Sequence, residues 1–113
     1  MIKVKKKEMF IKHKDTNKKE VRNMKIAEYK MNKNFSGSLI EIDGDHGETK
    51  SPREDRIYFV LEGSGKFIVD GEERQVVPND LVFVPKNTPY NMNGKMKYFL
   101  VHSPEFKPQS DIS

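Results

Sequence analysis

The residue pattern points to an all-β domain of sandwich or barrel type, and three observations carry that prediction. Apolar and polar residues alternate with period two in successive runs, turn signals recur every 8 to 12 residues, and no apolar stripe has helical spacing over a useful length. The 113 residues suffice for one hydrophobic core and not for two. Seven Phe, four Tyr and the Val/Ile/Leu runs can fill a small β structure.

The elements follow in chain order. MKIAEYKM (24–31) alternates and reads as a strand, although its propensities also admit a short helical turn. GSLIEI (37–42) is a strand closed by the turn-rich DGDHGET. RIYFVLEG (56–63) is apolar on both faces, the pattern of a strand in the middle of a sandwich. Its alternation sends Arg56, Tyr58 and Val60 one way and Ile57, Phe59 and Leu61 the other. KFIVDGEERQVV (66–77) is a hairpin whose Asp70-Gly71 pair supplies the positive φ angles of a tight turn. PND (78–80) turns the chain into LVFVP (81–85), and PKNTPYNMNG is a loop holding a short strand. KMKYFLVHSP (95–104) alternates again and closes at Pro104. That makes about eight short strands.

Composition narrows the function. No window approaches 18 consecutive apolar residues, so no membrane span is expected. The start MIKVKKKEMF is basic but has no apolar segment behind it, so no secretory signal is expected. Cysteine is absent, which excludes disulfides and thiol catalysis and fits a cytoplasmic protein. Residues 1–33 hold 12 Lys/Arg against 4 Asp/Glu, a balance of +8, while residues 34–113 hold 9 against 13, a balance of −4. The lysines are spread among Glu, Asp and Asn without aromatic interleaving, so the basic segment reads as solvated surface. Nucleic acid is not an expected partner.

One block carries more information. VLEGSGKFIVDGE, then Asn79-Asp80, then LVFVPKNTPY resembles the cupin family, whose members show an apolar strand, LEGxGxFxVDGE, a Gly-Asp turn and a VVFIPxGxPH segment. The resemblance implies a jelly roll, or double-stranded β-helix barrel, over residues 34–106. The basic segment 1–33 would pack on or lead into the barrel, and KPQSDIS (107–113) would be a frayed tail. Cupins hold a metal through HxHxxxE, with the Glu seven positions before the Gly, and through the final His of PxGxxH. Here those places carry Lys50, Pro52, Arg56 and Tyr90; with the spacing one longer, Thr49 and Ser51 take the histidine places. Either set is unsuited to a divalent ion, so neither metal nor other cofactor is expected.

Arginine is scarce, four residues against 17 lysines, yet Arg53 and Arg56 stand three positions apart. If Arg56 faces inward as the family's Glu does, Tyr58 follows it and Tyr90 faces it. The three would form a clamp for a small anionic ligand, because a guanidinium offers bidentate hydrogen bonds that lysine cannot copy. Arg53 is a rim candidate and Lys50 a loop cation beside it. The structural alternative pairs Arg56 with Glu54 or Glu62. His102 shares the parity of Tyr98 and Leu100 and is the candidate acid/base near neutrality. His46, with Asp45 and Glu48, is the candidate for an improvised metal corner, and His13 reads as surface.

The expected function is therefore small-ligand binding without metal. The alternatives are a metal-free isomerase or epimerase on a sugar derivative, with His102, Tyr90 or Glu54 moving protons, and a metal-dependent cupin with unconventional ligands. The doubly apolar strand also predicts a homodimer.

Overall fold

The computed structural model describes residues 9–107. After a 3-10 turn at His13–Asp15 come seven strands: β1 (Asn17–Val21), β2 (Met24–Asn32), β3 (Phe35–Asp45), β4 (Asp55–Val69), β5 (Glu72–Val76), β6 (Leu81–Val84) and β7 (Tyr90–Ser103). All pair antiparallel in the order β1-β2-β3-β7-β4-β5, with β6 on the other part of β4. One face collects Met24, Ile40, Ile42, Tyr58, Val60, Phe67, Val76, Val84, Met92, Tyr98 and Leu100 into a single core. A lone sheet buries such a face only by rolling up on itself, and the result is the expected jelly roll. No helix among the described residues is long and apolar enough to cross a membrane.

The strand count differs from the sequence reading for two physical reasons. RIYFVLEG and KFIV are one continuous strand, β4, whose EGSG stretch is a bend and not a turn. Val60 pairs with Tyr98 and Glu62 with Lys97, so Leu61 is an extra residue, a bulge that adds twist. Just beyond it Gly63 adopts φ +78. Gly65 then faces Gly94 so closely that a Cβ on Gly65 would lie 2.3 Å from the Asn93 carbonyl oxygen. Glycine lets the two longest strands bend together without losing their ladder. The loop strand and the last strand merge in the same way into β7.

The second reason is invisible to patterning. NKKEV forms β1 although all five residues are exposed, so no hydrophobic alternation marks it. Residues 17–32 are thus part of the sheet, and the 33/34 boundary falls in the hairpin joining β2 to β3. Residues 1–8 and 108–113, which hold most of the frayed tail expected from sequence, lie outside the described residues. The Asp70-Gly71 hairpin takes φ 51 and 82, and Asn79 takes φ 79, as their turn chemistry requires. RIYFVLEG is buried on one face only: Ile57 and Phe59 keep 38% and 37% of their surface.

Candidate ligand cavity

Strand alternation aims one set of side chains from β4 and β7 into a cavity of about 570 Å³. Arg56 and Tyr58 come from β4; Tyr90, Tyr98, Leu100 and His102 come from β7. Met24, Ile26, Ser38 and Ile40 line the β2–β3 wall, and His46, Glu48 and Thr49 come from the following loop.

The floor is a hydrogen-bonded polar cluster. Arg56 Nη1 donates to the Tyr90 hydroxyl at 2.6 Å, and the Tyr58 hydroxyl donates to the same oxygen at 2.6 Å. On its other side Arg56 donates from Nη2 and Nε to Glu54 Oε1, at 2.9 and 3.3 Å. The guanidinium carbon also lies 5.9 Å from the Tyr90 ring centroid and 5.8 Å from that of Phe106. Arg56 is only 3% exposed and Glu54 1%, so each charge depends on the other for its solvation. Both readings of Arg56 thus hold geometrically: it faces the cavity, and it is ion-paired with Glu54.

The other candidates are distributed differently. Lys50 is exposed and does not line the cavity. The reason is register: Thr49 exchanges backbone hydrogen bonds with Tyr90 (2.9 and 2.8 Å), which turns Thr49 and Ser51 inward and Lys50 and Pro52 outward. The longer of the two spacings therefore applies. Arg53 is half-buried and lies outside the cavity, where it donates to the Glu105 carbonyl oxygen and to Glu54 Oε2 at 3.4 Å. It ties the C-terminal segment to the barrel end.

His102 is buried, with Nδ1 3.4 Å from the Ser36 hydroxyl. Burial, helped by the positive charge of Arg56, pulls its pKa down to about 3. This corrects the expectation of an acid/base near neutrality: the imidazole stays neutral throughout the physiological range. The folded pKa lies below the unfolded value of about 6.5, so the neutral form's contribution is present above pH ~6.5 and lost as pH falls toward 3. Urea melts between pH 7 and pH 4 are expected to show the parent losing stability more steeply than His102→Gln, by up to about 1.4 kcal/mol per pH unit. Superimposable slopes would mean that His102 keeps an ordinary pKa in the folded protein.

Burial likewise raises the Tyr58 and Tyr98 phenols, with the neighbouring Tyr90 adding to both shifts, so both remain protonated. The Tyr98 hydroxyl lines the cavity and has no hydrogen-bond partner among the described residues. Sequence reasoning misses Tyr98 as a site residue, although its parity with His102 marks it as inward-facing. It also misses Phe106, which packs on His102 at 5.1 Å and lines the cavity, and Lys19 and Arg22 at the rim. No periodic pattern signals either group.

The family's metal positions are thus occupied by Thr49, Ser51, Arg56 and Tyr90. A guanidinium cannot ligate a cation, and two hydroxyls with a phenol suit a divalent ion poorly, so this donor set does not fit the ion that cupins hold. Among the described residues no group of three or more His, Cys, Asp or Glu converges as metal ligands would, which removes the His46–Asp45–Glu48 corner. His46 instead stacks on Tyr90, ring centroids 5.9 Å apart, and its Nδ1 lies 2.8 Å from the Gly47 carbonyl oxygen. A carbonyl only accepts, so Nδ1 carries a proton and donates to it.

Comparison with known proteins agrees with this architecture. No curated protein matches the chain in sequence. Among solved structures, a histidine-to-glutamine variant of Pac13 from Streptomyces with uridine shares 20% identity and a TM-score of 0.83, over 89% of this chain and 86% of that one. KdgF from Halomonas sp. shares 19% identity and a TM-score of 0.78, over 87% and 94%. Oxalate decarboxylase from Bacillus subtilis shares 15% identity and a TM-score of 0.80, over 91% of this chain but 31% of that chain. At these identities the likeness is one of fold. Residues 39–102 also match the sequence profile of the cupin domain, more than half of the chain. With that match, the rolled sheet and the EGSG bend together, the chain belongs to the cupin family.

Proposed function

We propose that this cupin works without a metal and binds a small polar ring compound, of nucleoside or sugar type, in the barrel cavity. The observation that carries the reading is the Glu54–Arg56–Tyr90–Tyr58 cluster at the floor, joined by hydrogen bonds of 2.6 to 3.3 Å. Glu54 compensates the guanidinium charge, so the floor favours a hydroxyl- or carbonyl-bearing neutral group over the free anion expected from sequence. Any anionic portion of the ligand belongs at the rim, near Lys19 and Arg22. The aromatic walls suit a ring, and Tyr98 offers an unclaimed hydroxyl for it. The fold neighbour Pac13 is described as a nucleoside dehydratase and has structures with uridine in which a histidine or one of two tyrosines is replaced. Two histidines and three tyrosines line this cavity as well.

Titration calorimetry with uridine, uridine monophosphate and a panel of sugar phosphates tests the proposal. At least one ligand should bind, and Tyr58→Phe and Tyr98→Phe should each weaken it by about 0.5–1.5 kcal/mol, or roughly two- to tenfold. Equal affinity in both variants would overturn the assignment of the floor, and a panel without a single binder would overturn the ligand class.

A second reading, proton-transfer catalysis, is favoured by His46. Its ring lines the cavity and stacks on Tyr90, and with Nδ1 engaged by the Gly47 carbonyl oxygen, Nε2 is the nitrogen left to serve as a general base toward a bound ligand. Turnover of a bound ligand, at least about 100-fold slower in His46→Gln with affinity retained, is the expected result for an enzyme. Binding with no turnover would leave the first reading standing alone.

A further inference from the structure

Arg53 lies outside the cavity, but its contacts lead back into it. The Glu54 carboxylate divides its two oxygens between the neighbouring arginines. Oε1 accepts from Arg56 Nη2 at 2.9 Å, and Oε2 accepts from Arg53 Nη1 at 3.4 Å. The same Arg53 nitrogen donates to the Glu105 carbonyl oxygen, one residue before Phe106. The Phe106 ring then returns to the start: its centroid lies 5.8 Å from the Arg56 guanidinium carbon and 5.1 Å from the His102 ring. Arg56, Glu54, Arg53, Glu105 and Phe106 thus make a closed circuit of contacts, which enters the cavity through Arg56 and Phe106.

We infer that Phe106 is a specificity-determining residue of the cavity, presenting aromatic surface to a ring-shaped ligand, and that Arg53 is the positioning residue that holds it there. The inference rests on the ligand reading given above. Chain geometry supports both roles. β7 ends at Ser103, and residues 104–107 join no strand. The Glu105 N–H donates to the Lys33 carbonyl oxygen at 3.2 Å, and the Phe106 N–H donates to the Ser36 hydroxyl at 2.8 Å. These bonds tie the segment to the β2–β3 hairpin and to β3, and the Arg53 contact ties it to the stretch just before β4. A wall segment without a ladder opens locally at a small fraction of the global stability. A charged donor on its carbonyl therefore decides how firmly the ring stays in place.

The chemistry of the floor explains what the ring selects. Arg56 and the Tyr58 and Tyr90 hydroxyls offer hydrogen bonds to any hydroxyl-bearing molecule, cyclic or open-chain, so they do not separate the two. Phe106 offers no hydrogen bond. It is half-buried and lines the cavity, so it has aromatic surface left to give to a ligand. A flat base or the C–H face of a cyclic sugar covers such a surface well. An open chain with the same hydroxyls covers it poorly and loses more conformational freedom on binding.

Amide exchange read by NMR on the free full chain tests the positioning role. In Arg53→Met, which keeps the length of the stem and loses the donor, the Phe106 amide should exchange at least about tenfold faster than in the parent. Amides in the middle of the β4–β7 ladder should accelerate by a smaller factor. Equal acceleration at both places, or none at Phe106, would overturn that role. Calorimetry with uridine monophosphate and ribitol 5-phosphate, which share a phosphate and differ in ring and base, tests the selection. The parent should prefer uridine monophosphate. Phe106→Leu, which keeps apolar bulk and loses the ring, should bind it about two- to tenfold more weakly and ribitol 5-phosphate no more weakly. Arg53→Met should weaken uridine monophosphate binding in the parent and add little in the Phe106→Leu background, because it acts through the ring. Additive losses would overturn the positioning role. A parent without that preference, or a Phe106→Leu protein that binds uridine monophosphate as tightly as the parent, would overturn the selection and leave the ligand reading intact. A parent that binds no uridine monophosphate overturns the selection, and if the sugar phosphates and uridine fail as well, the ligand reading falls with it.

Discussion

Replacing Arg56 with alanine is expected to lower the unfolding free energy by about 3–5 kcal/mol. The cause is Glu54, whose carboxylate is fully buried and whose Oε1 takes both the 2.9 Å and the 3.3 Å bonds from Arg56. Without the guanidinium, the cation left to that charge among the described residues is Arg53, whose Nη1 lies 3.4 Å from Oε2. A domain of this size commonly has about 5–15 kcal/mol in hand, so the loss is a large fraction of the total. Arg56→Lys should fall between parent and alanine, because an ammonium keeps the charge but cannot reach Glu54 and Tyr90 together as the fork does. The double variant Glu54→Leu/Arg56→Met should recover most of the stability, since a well-packed apolar pair of similar size replaces a buried ion pair at little cost. It should not recover ligand affinity. Urea titrations of the four proteins decide the matter; an Arg56→Ala variant within about 0.5 kcal/mol of the parent would mean that Glu54 is solvated by other means.

Gly63→Ala is expected to destabilise by about 3 kcal/mol or more, for a reason that involves no side chain. A Cβ at Gly63 would sit 2.2 Å from the Lys95 carbonyl oxygen and 2.9 Å from the Met96 Cα. Both are backbone atoms of β7, paired with β4 along its whole length, so relief requires the two central strands to part. The positive φ of +78 adds the ordinary penalty for a side chain in the left-handed region. Gly71 provides the control. It has nearly the same φ, +82, but an added methyl there would meet nothing within 4 Å, so Gly71→Ala should cost only the conformational share, about 1 kcal/mol. Thermal melts in which Gly63→Ala loses no more than Gly71→Ala would show that the β4–β7 ladder tolerates separation at the bulge.

The fold class and the inward set on the central strand were legible in the chain alone. Period-two alternation is a local property, and Arg56, Tyr58 and Val60 could be assigned to one side from spacing. The Asp70-Gly71 and Asn79 turns were legible for the same reason, since positive φ restricts the residue types that can occupy them. The residue types at the intervals from Gly63 where the family's metal ligands stand were legible too, as Arg56 and Tyr90 with either Lys50 and Pro52 or Thr49 and Ser51.

Contacts between distant parts of the chain settled the rest. Lys50 and Thr49 differ by one position, and the bridge from Thr49 to Tyr90 determines which of them turns inward; that contact joins residues 41 apart. Strand β1 has no apolar face, so nothing in its pattern could reveal it before β2 was there to pair with it. The electrostatics of the site were equally hidden. Glu54 and Arg56 are near neighbours in sequence, but only burial makes their pairing obligatory, and the same burial beside Arg56 turns His102 from an acid/base candidate into a neutral ring. A residue's type and parity are written in the chain, whereas its solvation, and with it its charge, exists only once the barrel has closed around it.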